Sequence, residues 1–255
     1  MTIPSFHWWR TVFYLIPMIG IYSIVLGTVS ILSSFAGGRG YFAHACARLW
    51  ARLILLTTGV KVRTRGLERL TPGATYVFVS NHQSIYDIPV IFWSLAYQIR
   101  IIAKASIGSF PFLGWHLRRT GHLLVDRRNP DRNGILRRWR DLLQQGLSLI
   151  IFPEGTRSPD GRVGRFKAGS FLLAIEAGLP VVPISVYGTR LVMPKGQLTT
   201  RPGAASLVVH EPIVTAGGGW QPTIEDARRL GAHVQGIIAS QVEAEERAAG
   251  TWPSA

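Results

Sequence analysis

The sequence predicts a layered α/β domain behind an N-terminal membrane-associated helical pair, and three observations carry that reading. After Gly59, short β-rich runs alternate with stretches of helical character, the pattern of strands and helices packed in layers. Residues 11–38 contain no charged side chain, whereas about 20 apolar residues suffice for a helix to cross a bilayer. The length of 255 residues, 47% hydrophobic, with a mean hydropathy of +0.20, suits one main core plus one membrane element.

Taken in order, residues 1–59 form the anchoring segment. The uncharged run exceeds the roughly 7 to 15 residues of a signal-peptide core and lacks a small-x-small cleavage site, which favours a retained anchor. Pro17, Gly20 and Gly27 are places where it can kink. In the next segment His44, Arg48 and Arg52 recur at i, i+4 and i+8, with Leu49, Trp50, Leu53 and Leu56 elsewhere around the helix. That spacing predicts an interfacial helix with its basic stripe toward phosphate headgroups; a helix packed on the globular domain with a solvated stripe fits it equally.

Residues 60–255 form the second unit. Strands are expected at 61–65, 75–80, 99–103, 122–126, 147–152, 181–186 and 206–209, and helices at 85–95, 130–145, 167–177 and 224–248. Pro183 predicts an edge strand or a bulge for the sixth strand, because proline cannot donate to a ladder.

Composition narrows the chemistry. One cysteine, Cys46, excludes an intramolecular disulfide framework and an all-cysteine zinc site. A net charge of +14 predicts attraction to polyanions, either nucleic acid or the anionic face of a bilayer. The positive field is densest between Arg118 and Arg140, with eight arginines against Asp126 and Asp131.

Four polar islands interrupt the apolar pattern. In "NHQSIYD", residues 81–87, His82 and Asp87 on one regular helix would sit about 140° apart and could not touch. A strand ending near Ser80, a turn holding His82 and a helix starting near Ser84 remove that constraint, letting Asp87 bond one imidazole nitrogen while the other faces a substrate. A capped turn, Ser84 as N-cap and Asp87 three residues later, explains the same residues without catalysis. In "FPEGTRSPDGR", residues 152–162, a loop after a buried strand presents Glu154 and Arg157 to a polar, phosphorylated ligand, unless the two simply pair with each other. In "GHLLVDR", residues 121–127, Arg127 is either a phosphate ligand or part of a solvated basic face. The fourth island is "PVVPISVYGT", residues 180–189.

Together, in this order, the islands resemble the glycerolipid acyltransferase family, most closely the 1-acylglycerol-3-phosphate acyltransferases of bacterial phospholipid synthesis. "AKASIGSFPFLGW", with Lys104, resembles the family's lysine-containing segment, and the resemblance runs from about residue 60 to residue 190. It implies a central, mostly parallel sheet flanked by helices. It further implies transfer of a fatty acyl group from acyl-CoA or acyl carrier protein to the sn-2 hydroxyl of 1-acyl-sn-glycerol-3-phosphate, at the cytoplasmic face of the cell inner membrane. His82 is then the general base and Asp87 its orienting partner. Glu154, Gly155, Thr156 and Arg157 bind the acceptor, with Arg127 and Lys104 assisting. The thioester is the co-substrate and is already activated, so neither metal nor further cofactor is expected; the partners are the two lipidic substrates and an anionic membrane surface, not nucleic acid. Another acceptor, such as lyso-ornithine lipid, glycerol-3-phosphate or a different lysophospholipid, fits the same islands. A non-enzymatic polyanion-binding membrane protein fits the charge but leaves "FPEGTRS" without a purpose.

Overall fold

A computed structural model describes residues 5–35, 40–109, 111–125 and 132–250. The chain opens with a continuous helical rod: α1 (Phe6–Arg10), a π-helical turn (Thr11–Leu15) and α2 (Ile16–Ser33). Pro17 sits in the first turn of α2, and the wider π turn falls just ahead of it, where proline withholds an amide from the ladder. The rod is the one described helix long and apolar enough to cross a membrane. Next come α3 (Tyr41–Thr58) and β1 (Val60–Arg65), then β2 (Val77–Ser80), α4 (Asp87–Ser94), β3 (Ile99–Lys104) and α5 (Pro111–Arg119). The rest runs β4 (Leu123–Val125), α6 (Arg132–Gln144), β5 (Ser148–Ile151), α7 (Ala168–Glu176), β6 (Val181–Tyr187), α8 (Thr189–Val192), β7 (Gly203–Val209) and α9 (Ile224–Ala248).

The seven described strands form one sheet in the order β1-β7-β6-β2-β5-β3-β4, parallel throughout except where β6 meets β7. Its central strands are buried on both faces, as a sheet covered by helices requires. The period of two sorts each strand between two cores. Phe78 and Ile150 join one core with Val90 and Ile91 of α4 and Ile54 and Leu55 of α3. Val77, Val79, Leu149 and Ile151 join the other with Phe171 of α7, Trp139 of α6 and Leu230 and Val234 of α9. The connection after β2 leads away toward β3, and the one after the adjacent β5 leads the opposite way toward β6. Such a divergence leaves a crevice at the carboxyl ends of the two strands.

All seven expected strands and the four expected helices are present, the last helix with the expected ends and the others with shifted ends; residues 126, 130 and 131 of the expected elements lie outside the described residues. Two helices are additional. In α5, Pro111 suits the first turn of a helix and Gly114 lies so close to the Gly108 carbonyl that a Cβ would collide. Both residues read locally as turn formers. The short α8 follows Gly188, whose φ of +87° and contact with the Ala204 carbonyl exclude a side chain.

One expectation is narrowed and one corrected. Pro183 lies in an interior strand, not an edge. The bulge alternative fits: Ile184 pairs with Val209 and Val181 with Ile213, so three steps along β6 face four along the returning chain. The basic stripe of α3 does not face outward as a unit, because His44 is buried against Phe92 while Arg52 is exposed over Trp93. The face that α3 exposes is mainly apolar: Phe42, Leu49 and Leu56, with Arg52 among them. On α2, Ile21, Ile24, Val25, Val29 and Leu32 are likewise exposed.

Candidate active site

Strand β2 ends at Ser80, and the next residue clamps the neighbouring strand. The Asn81 amide donates to the Val186 carbonyl and accepts from the Val186 N–H, each at 2.8 Å. With Asn81 fixed, His82 leaves the sheet edge at the crevice between β6 and β5. Its ring stacks on Phe152 at the end of β5, centroids 4.3 Å apart.

Asp87 opens α4 and is 0% exposed. Its Oδ2 lies 2.7 Å from His82 Nδ1 and accepts the N–H groups of Gln83 at 2.7 Å and Ser84 at 3.0 Å. Its Oδ1 accepts the Thr189 hydroxyl at 2.5 Å. A carboxylate only accepts, so the proton of the His82–Asp87 bond belongs to Nδ1, and Nε2 keeps its lone pair for a ligand. The capping reading is half realised. Asp87 bonds the Ser84 N–H as a capping box requires, but the Ser84 hydroxyl turns elsewhere, donating to the Met193 carbonyl and accepting from Tyr86 N–H. The cap and the pair therefore use the same carboxylate.

Glu154 does not pair with Arg157 among the described residues. Its two oxygens accept the backbone N–H groups of His82 at 2.8 Å and Gly164 at 3.0 Å. Burial pushes its carboxyl above the usual range, and those two N–H bonds oppose the shift. Gly155, at φ +75°, turns the chain back so that its N–H reaches the Phe152 carbonyl. The loop is stapled to the histidine turn by Ser158 N–H to the His82 carbonyl at 2.7 Å and by the Gln83 amide to the Gly161 carbonyl at 2.9 Å.

His82, Gly155, Thr156 and Arg157 line one cavity of about 690 Å³. Its other walls come from α2, α3, α4, α5, β3 and the residue before β4; most of their side chains are apolar, such as Leu26, Ala47 and Trp50, with Ser23, Ser30, His116 and His122 among them. The site thus joins Arg157 and His82 to a largely apolar interior. Lys104 ends β3, and Arg127 lies outside the described residues.

Three participants escape a local reading of the motifs. Thr189 completes the shell of Asp87 from the far end of β6, Asn81 locks the strand edge, and Lys195 Nζ donates to the Arg157 carbonyl at 2.7 Å and to the Thr156 hydroxyl at 3.2 Å. The signal for Thr189 is a hydroxyl directly after the positive-φ Gly188 at a strand end. Nothing local marks Lys195.

A family profile described as Acyltransferase matches residues 61–187, the stretch that holds His82, Asp87 and the Glu154 loop. The chain is 39% identical over 178 residues to a chloroplastic 1-acyl-sn-glycerol-3-phosphate acyltransferase of Brassica napus, 69% of this chain and 51% of that protein. It therefore spans about half the length of that relative. Against the 1-acyl-sn-glycerol-3-phosphate acyltransferase of Pseudomonas aeruginosa it is 30% identical over 212 residues, 80% of this chain and 81% of the relative. The crystal structure of the 1-acyl-sn-glycerophosphate acyltransferase PlsC from Thermotoga maritima superposes with a TM-score of 0.78 at 28% identity, covering 97% of this chain and all of that one. At that identity and coverage, with the profile matching the stretch that holds the site, the chain belongs to the 1-acyl-sn-glycerol-3-phosphate acyltransferase family.

Proposed function

We propose that this protein is an O-acyltransferase that moves a fatty acyl group from acyl-CoA or acyl carrier protein onto the sn-2 hydroxyl of 1-acyl-sn-glycerol-3-phosphate, giving phosphatidic acid. The observation that carries the reading is a His82–Asp87 pair opening onto an apolar cavity with Arg157 at its wall. The acceptor hydroxyl gives its proton to His82 Nε2 as its oxygen bonds to the thioester carbonyl carbon. The tetrahedral species collapses by breaking the C–S bond, and the leaving sulfur takes the proton back from His82. Asp87 holds the ring in the required tautomer and compensates the imidazolium charge. A positioned base of this kind contributes about 10²-fold to 10⁴-fold. Glu154 acts through backbone by fixing the His82 N–H, while Arg157, Thr156 and Gly155 line the cavity that would take the acceptor phosphate; Lys104 and Arg127 are given a supporting cationic role by the family resemblance alone. No metal or added cofactor is needed for attack on a thioester.

Residues 1–59 are read as the anchor and 60–255 as the acyltransferase unit. The exposed apolar faces of α2 and α3 support attachment to a membrane, where the lipidic acceptor resides, each buried methylene contributing about 0.8 kcal/mol; the cytoplasmic face of the inner membrane is the side where the family resemblance puts it. The purified full chain in detergent or vesicles, given labelled acyl donor and a panel of acceptors, should convert lysophosphatidic acid to phosphatidic acid. His82→Ala should lower turnover at least about 100-fold without releasing the protein from membranes. Failure on every phosphate-bearing acceptor overturns the acceptor assignment, and full turnover by His82→Ala overturns the base.

A further inference from the structure

The cavity is not apolar throughout. Away from His82, its wall carries Ser30 of α2, His116 of α5 and His122 just before β4. Ser30 is 1% exposed and its hydroxyl bonds nothing; His116 Nδ1 is also buried without a partner. His122 Nδ1 accepts the Ile101 N–H at 3.0 Å, so Nε2 carries the proton, and no described residue accepts it. These groups are neighbours. The rings of His116 and His122 lie 6.4 Å apart, and one turn beyond Ser30 and His116 on their helices, Arg119 donates to Ser34 at 2.8 Å, tying α5 to α2.

A buried polar group without a partner costs about 1–3 kcal/mol, and Ser30 and His116 both carry such an atom on the wall of one channel. By contrast, Ser23, two turns earlier on α2, is satisfied twice, by the Ile19 carbonyl and the Trp50 indole N–H. The open positions are therefore confined to the end that α5 and β4 close. We propose that this end of the cavity takes an acyl chain bearing a hydroxyl, which accepts from His122 Nε2–H and exchanges hydrogen bonds with Ser30 and His116. Burial holds both histidines below their ordinary value and so neutral, as partners for an uncharged hydroxyl rather than for a carboxylate. The sheet order places β4 three strands from β2, a separation of about 14 Å at 4.7–4.9 Å per strand. The hydroxyl accordingly belongs in the distal half of a long chain, not beside the thioester.

The inference rests on the proposed acyl-transfer reading for the identity of the cavity's occupant. The test offers the full chain a series of hexadecanoyl-CoA donors with one hydroxyl at successive carbons, each against unsubstituted hexadecanoyl-CoA, with binding of the matching non-transferable thioethers measured alongside. At one or two distal positions kcat/KM and affinity should favour the hydroxylated chain by about tenfold, one hydrogen bond's worth. Ser30→Ala and His116→Phe, which delete atoms that bond nothing in the protein, should each bring that ratio toward one. A ratio at or below one for every position, or a ratio untouched by both substitutions, overturns the proposal. Preferential binding of hydroxylated thioethers by a protein that transfers no acyl group would keep it and overturn acyl transfer instead.

Discussion

The two ends of one cavity are built in opposite ways. At the mouth, nearly every polar atom of the His82 turn and the Glu154 loop is spoken for: Asp87 takes four donors, Glu154 two backbone N–H groups, and Asn81 both faces of Val186. At the other end, Ser30 and His116 have buried polar atoms facing no protein group. The first arrangement spends its hydrogen bonds on fixing one ring, which is what proton transfer needs. The second keeps them for something that arrives.

The mouth should therefore respond to small changes far more than its local contacts suggest. Asp87→Asn can keep one oxygen for the three donors that Oδ2 now takes and turn its NH2 toward the Thr189 hydroxyl, but it removes the charge that holds the imidazole N–H and compensates the imidazolium. Turnover should fall by up to about 10⁴-fold, the size of the loss when the orienting aspartate of a catalytic triad is amidated, with acceptor KM little changed. Next in size is a pair of substitutions in one loop that should part company. Glu154→Gln leaves either the His82 or the Gly164 N–H unsatisfied, so it should lower both kcat and stability, the latter by about 1–3 kcal/mol. Arg157→Ala removes a side chain with no ion pair among the described residues. It should raise KM for a phosphate-bearing acceptor roughly 10-fold to 100-fold and leave the unfolding midpoint where it was. Equal losses of stability in the two variants would erase the distinction between a scaffold carboxylate and a ligand guanidinium.

This contrast also explains what could be read from the sequence. The sheet was legible because its strands are short apolar runs bounded by turn residues, and burial on both faces makes them stand out. The His82–Asp87 pair was legible as a possibility, since the turn that unites them is encoded within seven residues. What the local pattern left open is supplied from afar: Thr189 is 102 positions from Asp87, and Lys195 is 38 from Arg157. Glu154 was found, but its task was read as ligand contact because no periodicity tells a carboxylate that it will face a backbone N–H 72 residues away. The α3 stripe misled for a related reason. Its spacing is correct for one helix face, yet α4 and its Phe92 bury the His44 end, and the lipid-facing candidate is the apolar face beside it.

That exposed face gives a third, smaller effect. Leu49 and Leu56 of α3 are 45% and 66% exposed, and neither lines the cavity. The double variant Leu49→Glu, Leu56→Glu should shift protein from vesicles to the aqueous phase in flotation, while activity on detergent-dispersed acceptor survives. If flotation is unaffected, attachment belongs to the α1–α2 rod alone.

The smallest effect concerns the unpartnered end and follows from proton linkage. His122 is held well below its ordinary value by burial first and by the Arg100 charge next, with His116 and His44 adding to the shift; burial alone lowers His116. The unfolded chain takes up protons on these residues near pH 6.5, whereas the native protein does so only at lower pH, His122 well below that value. Stability is thus full above pH 6.5 and declines as pH falls below it, because the unfolded state binds more protons throughout that window. His210, lowered to about 4 by burial and then by Arg69, and His44, also lowered to about 4, add to the same slope, so no single substitution removes it. His122→Asn keeps an acceptor for the Ile101 N–H but cannot titrate. Its unfolding midpoint should therefore fall less than that of the wild type between pH 6.5 and 4.5, and an unchanged slope would mean that His122 is protonated in the native protein, as an anionic occupant would demand and a hydroxyl would not.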